Sequence, residues 1–200
     1  MGTPQPRLTL LGNSWAEGFT IVSVRVFAVL WVAGLSAVLW AAWGTAPPAL
    51  AVGLVLAGWA VWTFCEYALH RWVFHWEPSS APLRKFVFIM HGNHHAVPND
   101  PLRNLMPPIV SVPVALLIGL GLVAAIGAAG LWLLLGFLGG YVFYDAVHYT
   151  CHQRPLKGRL GRVIKQHHMR HHHSSEAGNY AITGMMWDRL LSTRVAASRH

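Results

Sequence analysis

The sequence predicts an all-helical integral membrane protein, with four transmembrane helices in two hairpins and a histidine-rich helical cap. Of its 200 residues, 54% are hydrophobic and 11% are charged, whereas an ordinary soluble domain has about 25% charged residues. No Asp, Glu, Lys, Arg or His lies between Val26 and Cys65, or between Asn104 and Tyr144. Each stretch is about twice the roughly 20 residues that cross a bilayer. A water-soluble globule and a disordered chain are therefore excluded.

Turn signals divide each apolar stretch into two spans. Gly44–Pro48 and Gly127–Gly130 interrupt the apolar runs with Gly and Pro. We expect spans at about 21–43, 49–69, 109–126 and 131–152, within a single membrane domain, 21–200, that follows a short polar segment, 1–20. The cap is expected to comprise about 70–108 and 153–194, with short helices at 83–95 and 161–172.

Charge is concentrated outside the predicted spans. The net charge is +8 with histidine neutral, and both turns are free of charged residues. The positive-inside rule therefore predicts that both cap segments and both termini are cytoplasmic. Anionic lipid head groups, rather than nucleic acid, account for the basic character. The basic residues of the cap segments include Arg71, Arg84, Lys85, Arg103, Arg154, Lys157, Arg159, Arg162, Lys165 and Arg170.

Histidines are the unusual feature of the sequence. There are thirteen, and twelve of them fall in four clusters between His70 and His173. Residues at i, i+3 and i+4 share a helix face, and His70 and His75 are five apart, about 140° around an ideal helix. That first pair needs a helix end or a break, or it serves different metals. Shared faces are predicted for His91, His94 and His95, for His148 and His152, and for His168, His171 and His172.

The number of imidazoles predicts two metal ions rather than one. A single ion binds about four to six ligands, and two ions that share a pocket are a common arrangement in enzymes. Neutral imidazole suits Fe, Zn, Cu and Ni, and a site with few carboxylates does not suit Mg or Ca. Cys65 and Cys151 form no CxxC pair, so neither a thiolate site nor a disulfide framework is expected.

Two carboxylates lie close to histidines in the sequence. Glu66 precedes His70 by four residues, and Asp145 precedes His148 by three. Each is a candidate acceptor for the second ring N–H of a metal-binding histidine, and each is equally a candidate partner for Arg71 or another base.

In their order and spacing, the four clusters resemble the histidine boxes of the fatty acid hydroxylase superfamily, the membrane di-metal oxygenases. The similarity covers about Phe64–Thr193 and is greatest to the fatty acid/sphingolipid 2-hydroxylase branch. A proline-rich loop from Pro98 to Pro108 follows the pattern of that branch. The matching segments are Glu66–His70 with His75, His91–His95, Pro98–Pro108, Gly140–Tyr149 with His152, His168–His172, and Trp187-Asp188.

The resemblance implies a set of site residues and cofactors. Two irons, for which zinc can substitute in purified protein, and molecular oxygen are implied, and Tyr141, Tyr144 and Asp145 match positions near the metals. His167 and His173 stand where the family has aromatic residues, and we predict that they are not ligands. The implied ligands are His70, His75, His91, His94, His95, His148, His152, His168, His171 and His172.

The resemblance also implies the reaction, which is hydroxylation of a fatty acyl chain at carbon 2, free or in a sphingolipid. A sterol or lipid desaturase and a carotenoid hydroxylase are alternatives, and a metal transporter is a remote one, because the spans carry no ionisable residue at mid-depth. No fused cytochrome b5 domain is expected. We therefore expect a separate ferredoxin or cytochrome b5-like electron donor with its reductase, a lipid substrate, no nucleic acid, and a location in a bacterial inner membrane with the site on the cytoplasmic face.

Overall fold

The computed structural model describes residues 7–196, and their regular structure is helical throughout. Four of the helices are long and apolar enough to cross a membrane, which confirms the predicted number of spans and an integral membrane protein. The largest difference is at the end of the second span, which reaches Phe74 rather than residue 69, and the first span begins at Val24 rather than residue 21. In chain order the helices are α1 (Ser14–Glu17), α2 (Val24–Ala42), α3 (Pro48–Leu69), α4 (Ala81–Val87), α5 (Asn93–Ala96), α6 (Pro108–Ile126), α7 (Gly130–Gln153), α8 (Gly158–His173) and α9 (Met186–Leu190).

The ends of the long helices follow from local chemistry. Pro48 and Pro108 begin α3 and α6, where the missing N–H of proline costs nothing. Gly127 ends α6 with φ 71, a left-handed conformation that favours glycine. The side chain of Ser23 accepts a hydrogen bond from the N–H of Val26 and so caps α2.

Helix α7 lies at the centre of the bundle and packs against α2, α3 and α6. Its approach to α3 is the closest, because two glycines face the partner backbone. A Cβ on Gly136 would lie 1.9 Å from the carbonyl oxygen of Val55, and a Cβ on Gly58 would lie 2.1 Å from that of Leu133. Small residues allow such close packing between helices in a membrane.

The segment before α2 folds back on the proline-rich loop. Arg7 donates hydrogen bonds of 2.7 and 3.1 Å to the carboxylate of Asp100, and Arg103 pairs with Glu17. The N–H of Val22 donates to the carbonyl of Leu102 at 3.0 Å. This segment, predicted only as polar chain, therefore fixes the loop. Residues 1–6 of the predicted segment 1–20, and the last four of the predicted domain, lie outside the described residues.

Two π-helical turns continue α-helices at the cap. One spans His70–Phe74 and extends α3, and the other spans Phe88–Gly92 and joins α4 to α5. In the first, the N–H of His75 donates to the carbonyl of His70 at 3.2 Å. This i to i+5 bond is typical of a π-helix, which occurs often at functional sites. Both turns contain or adjoin histidine clusters.

Candidate metal centre

Ten histidines meet in two compact groups at one end of the long helices. Within each group, one ring nitrogen per histidine lies within 4.8 Å of the corresponding atoms of the others. We call these the first and second histidine groups. The first group is His70, His75, His91, His95 and His171, and the second is His94, His148, His152, His168 and His172.

The sequence clusters do not each serve one group. His91 and His95, at i and i+4, enter the first group, whereas His94 between them enters the second. The cluster in α8 is divided the other way, because His168 and His172 enter the second group and His171 the first. The prediction that each cluster points to one place is therefore too simple. The i and i+4 positions share a group, and i+3 reaches across to the other.

The π-helical turn resolves the spacing of His70 and His75. On an α-helix the two would be about 140° apart, but a π-helix needs more residues per turn. Both side chains consequently face the first group, with ring centroids 5.1 Å apart. The spacing that the sequence left open is thus explained by the π-helical turn, which ends at His75.

Backbone carbonyls orient at least three of the ten rings. The Nδ1 of His70 lies 2.5 Å from the carbonyl oxygen of Tyr180, and that of His171 lies 2.8 Å from the carbonyl of Gly178. The Nδ1 of His148 lies 3.0 Å from the carbonyl of Asn104. Because a carbonyl only accepts, each Nδ1 carries the proton. Each Nε2 is then left with a bare lone pair that points into its group.

The facing Nε2 atoms fit metal binding. Two lone pairs repel at these distances unless a cation lies between them, and two nitrogens about 2.1 Å from one ion and at right angles to each other are about 3 Å apart. The donor set of neutral imidazoles is the one that Fe and Zn accept. The Nε2 to Nε2 distances include 3.0 Å for His70–His91, 3.0 Å for His75–His171, 3.1 Å for His95–His171, 2.9 Å for His94–His148 and 2.7 Å for His152–His168.

The electrostatics keep these imidazoles neutral. Burial, and then the proximity of His171 and other histidines, lowers the pKa of His95 from its ordinary value of 6.5 to about 3. Burial likewise lowers the pKa of His171 to about 4, although the carbonyl of Gly178 opposes that shift. A neutral imidazole is the form that binds a metal ion. The rings are therefore in the binding form at neutral pH.

Glu66 and Asp145 do not accept hydrogen bonds from metal-group histidines, so the first of the two alternatives that the sequence left open is not observed. Glu66 accepts from the N–H groups of Ile182, Thr183 and Gly184. The sequence suggested His70 because it lies one turn away, but the chain brings in a distant backbone segment with free donors. The alternative pairing of Glu66 with Arg71 is not observed either, since the Nη1 of Arg71 donates to the hydroxyl of Tyr67.

The three residues predicted to lie near the metals occupy the wall of a cavity beside the second group. Asp145 accepts from the N–H of Met106 at 2.9 Å and from the hydroxyl of Tyr141 at 3.2 Å. The ring of Tyr144 is stacked parallel to that of His148, with centroids 6.1 Å apart. All three line the cavity, which brings them close to the histidines without a hydrogen bond to any of the ten.

His167 and His173 stand outside both groups. His167 is buried, and its Nε2 lies 3.0 Å from a carboxylate oxygen of Asp188. His173 is exposed at the end of α8.

An apolar cavity of about 310 Å³ reaches the two histidine groups from the interior of the bundle. At one end it is lined by His91, His94 and His148. At the other it is lined by Ile118 of α6 and Phe137 of α7. Phe137 precedes His148 by eleven residues, about 16 Å along an α-helix. The cavity therefore extends from the histidines well into the apolar part of the bundle.

Asn104 is a further site residue, which the histidine spacing did not indicate. Its carbonyl accepts from His148, and its side-chain amide lies 3.0 Å from the Nδ1 of His94. It is 2% exposed, and its side chain also contacts the carbonyl of Pro98 and the side chain of Gln153. Its only sequence signal was a position in the proline-rich loop. The carbonyls of Gly178 and Tyr180 had no sequence signal, because every residue has one.

Comparisons with known proteins agree with the geometry. The family model described as fatty acid hydroxylase matches residues 55–193. The chain is 37% identical to rat fatty acid 2-hydroxylase over 154 residues, which are 74% of this chain and 41% of the relative. It is 36% identical to the Arabidopsis thaliana dihydroceramide fatty acyl 2-hydroxylase FAH2 over 147 residues, 71% and 61% of the two chains. It is 33% identical to the Schizosaccharomyces pombe ceramide very long chain fatty acid hydroxylase scs7 over 192 residues, 92% and 54%.

A solved structure of full-length scs7p, in which only the hydroxylase domain is visible, resembles the whole bundle. The TM-score is 0.86 at 28% identity, and the match covers 94% of this chain and 72% of that one. The chain spans about two fifths to three fifths of the length of the curated relatives named above. Since the family model covers well over half of the residues and all ten grouped histidines fall inside it, the chain belongs to the fatty acid hydroxylase family.

Proposed function

We propose that this chain is a di-metal, oxygen-dependent hydroxylase that acts on carbon 2 of a fatty acyl chain, free or in a sphingolipid. The observation that carries the proposal is the apolar cavity, one end of which is lined by histidines of both groups. An acyl chain fits a cavity of this apolar character, and a reacting carbon close to the carboxyl end would then lie beside the histidines. The names of the relatives supply the carbon position.

In this proposal each histidine group binds one iron ion, for which zinc can substitute in purified protein. Two reduced irons with molecular oxygen supply an oxidant for an unactivated C–H bond, which side chains alone cannot. Five imidazoles per ion agree with the two groups of five. The remaining task of the protein is to hold the substrate carbon in place and to exclude water.

The residues of the cavity wall perform that task. Asp145 joins Met106 of the proline-rich loop to Tyr141 of α7, so it fixes the loop over the cavity. Tyr144 lies between the cavity and His148, where its ring would contact the acyl chain next to the reacting carbon. We assign Tyr141, Tyr144 and Asp145 to substrate positioning, not to metal binding.

The orientation in the membrane is also part of the proposal. We place α2 with α3, and α6 with α7, as two hairpins in a single membrane domain, 21–200, with a cap made from about 70–108 and 153–194. The short connections 43–47 and 127–129 support the hairpins, and the basic residues of the cap support a cytoplasmic face. A bacterial inner membrane stays a prediction, since the relatives named above come from eukaryotes.

A separate electron donor, either a ferredoxin or a cytochrome b5-like protein with its reductase, completes the reaction, which consumes two electrons for each oxygen molecule. The cap offers a basic surface for such a donor, which is commonly acidic. The exposed basic residues that we propose for docking are Arg84, Lys85, Arg154, Lys157, Arg159 and Arg162. Complementary charge of this kind accelerates association.

Lipid mass spectrometry tests the proposal. A host that expresses the chain should contain acyl chains with one additional oxygen at carbon 2, and a host with the His94→Ala variant should not. A product with a new double bond, or a hydroxylated carotenoid ring, would favour the desaturase or carotenoid hydroxylase alternatives. Metal uptake with unchanged lipids would favour a transporter.

A further inference from the structure

Two buried carboxylates outside both histidine groups hold a single stretch of backbone, residues 178–184, which follows α8. Glu66 of α3 is 2% exposed, and Asp188 of α9 is 0% exposed. Such buried charges are costly unless hydrogen bonds compensate them. Neither carboxylate accepts a hydrogen bond from any of the ten grouped histidines. The proposed function therefore does not account for these two residues.

Glu66 holds one end of this stretch. Its Oε1 accepts from the N–H groups of Ile182, Thr183 and Gly184 at 3.1, 2.8 and 2.7 Å. Its Oε2 accepts from the hydroxyl of Thr183. These bonds join a residue of the second transmembrane helix to a segment more than 110 positions later in the chain.

Asp188 holds the other end. Its Oδ1 accepts from the N–H of Tyr180 at 2.9 Å and from the hydroxyl of Thr193 at 2.8 Å. Its Oδ2 accepts from the N–H of Ala181 at 2.9 Å and from the Nε2 of His167 at 3.0 Å. Three of the four donors belong to buried residues, Tyr180, Ala181 and His167.

The stretch held in this way carries the two carbonyls that orient the first histidine group. The carbonyl of Tyr180 accepts from the Nδ1 of His70, and the carbonyl of Gly178 accepts from that of His171. Tyr180 therefore connects Asp188, through its N–H, to His70, through its carbonyl. The second group is supported elsewhere, by Asn104.

The geometry points to Glu66 and Asp188 as positioning residues for the metal ion of the first histidine group. They act through the backbone, by fixing the carbonyls that set the tautomer and direction of His70 and His171. Loss of such an outer partner commonly lowers metal affinity by about 10–100-fold. The inference rests on the proposed function, in that the first group must bind a metal ion.

The two carboxylates differ in what can replace them. At position 66 one oxygen receives all three N–H donors, and the other faces a hydroxyl that can reverse its role. Glu66→Gln can therefore keep every bond, with its NH₂ donating to Thr183. At position 188 each oxygen faces a backbone N–H, so Asp188→Asn must turn an NH₂ group toward one of them. We expect the amide to be tolerated at 66 and not at 188.

Metal content per chain, measured on purified full-length protein by elemental analysis, tests this inference. Wild type and Glu66→Gln should hold two ions, and Asp188→Asn and Glu66→Ala should hold one. Combining Glu66→Ala with His171→Ala should still leave one ion, because both changes affect the first group. Combining Glu66→Ala with His152→Ala should leave none.

The controls separate the possible failures. Two ions per chain in both Asp188→Asn and Glu66→Ala would overturn the inference. The same number of ions in the two double variants would also overturn it, because the effect of Glu66→Ala would then not be specific to the first histidine group. The two amide variants are nearly isosteric with the natural residues, so they decide the question even where Glu66→Ala does not fold. Wild type without bound metal would instead contradict the proposed function.

Discussion

The Nε2 of His167 lies 3.0 Å from a carboxylate oxygen of Asp188, although the neighbouring residue, His168, belongs to the second histidine group. A single residue step along α8 thus separates a structural histidine from a proposed metal ligand. The two side chains provide a matched pair of variants.

His168→Ala should remove one of two bound ions and abolish hydroxylation. His167→Ala should leave two ions per chain and lower stability by about 1–3 kcal/mol, because the buried Asp188 loses one donor. Elemental analysis and thermal unfolding measure the two effects. Metal loss in His167→Ala equal to that in His168→Ala would show that the grouping is wrong. His173→Ala, at an exposed position, should affect neither quantity.

Gly58 is expected to be intolerant of any larger residue. A Cβ there would overlap the carbonyl of Leu133, whereas a Cβ on Gly53 of the same helix meets nothing within 4 Å. Gly58→Leu should therefore separate α3 from α7 and lower the thermal unfolding temperature and yield of folded protein. Gly53→Leu should behave as wild type. Similar stability of the two variants would contradict the close packing of these helices.

The end of the cavity far from the histidines should set the length of acyl chain that the protein accepts. Ile118 lines that end, whereas Leu117 beside it is 68% exposed on the outside of the bundle and does not line the cavity. Ile118→Trp should shift the hydroxylated products toward shorter chains, and Leu117→Trp should leave their distribution unchanged. Mass spectrometry of the hydroxylated lipids measures both. An unchanged distribution in Ile118→Trp would place the acyl chain elsewhere.

Single cysteines should locate the turns and the cap on opposite sides of the membrane. In a background without Cys65 and Cys151, Thr45→Cys and Ala128→Cys should react with an impermeant thiol reagent applied from outside the cell. Ser79→Cys, exposed in the cap, should react only after the membrane is opened. Reaction of either turn from the cytoplasmic side would refute the orientation.

Electron transfer from an acidic carrier should weaken with salt. The Debye length falls from about 10 Å at 0.1 M to 3 Å at 1 M, so attraction to the basic cap is screened. With a ferredoxin and its reductase, the KM for the carrier should rise with ionic strength. Arg159→Glu should raise it at low salt, whereas the same change at exposed Arg189, outside the proposed docking residues, should have a smaller effect. Full turnover from NADPH without a carrier would contradict a separate donor.

The sequence predicted the helices well because their signals are local. The long stretches without charged residues predict α2, α3, α6 and α7. The spacing of the histidines places eight of the ten grouped histidines on shared helix faces. The division between groups was not predictable, because it depends on how α5, α7 and α8 are placed against one another. The sequence order shows that His94 lies beside His91, but only the packing shows that His94 meets His148.

The partners of the buried carboxylates escaped prediction for a different reason. For Glu66 the sequence offers partners that are near in the chain, His70 on one reading and Arg71 or another base on the other. Its actual donors are backbone N–H groups of residues 182–184, which carry no identity in the sequence. Helix α9 and the packing of residues 7–22 on the proline-rich loop were missed likewise, since both are too short to produce a periodic pattern.

The π-helical turn at His70–Phe74 makes two histidine spacings equivalent. A π-helical turn is an α-helical turn with one residue inserted, so His70 and His75 occupy the places that a pair at i and i+4 would occupy on an uninterrupted α-helix. Removing one residue between them should return the turn to α-helical form and leave both imidazoles on the same face. In chains of this fold, three or four residues between the two histidines of the first cluster therefore place the imidazoles in the same positions. Three residues require an α-helical turn there, and four require a π-helical turn.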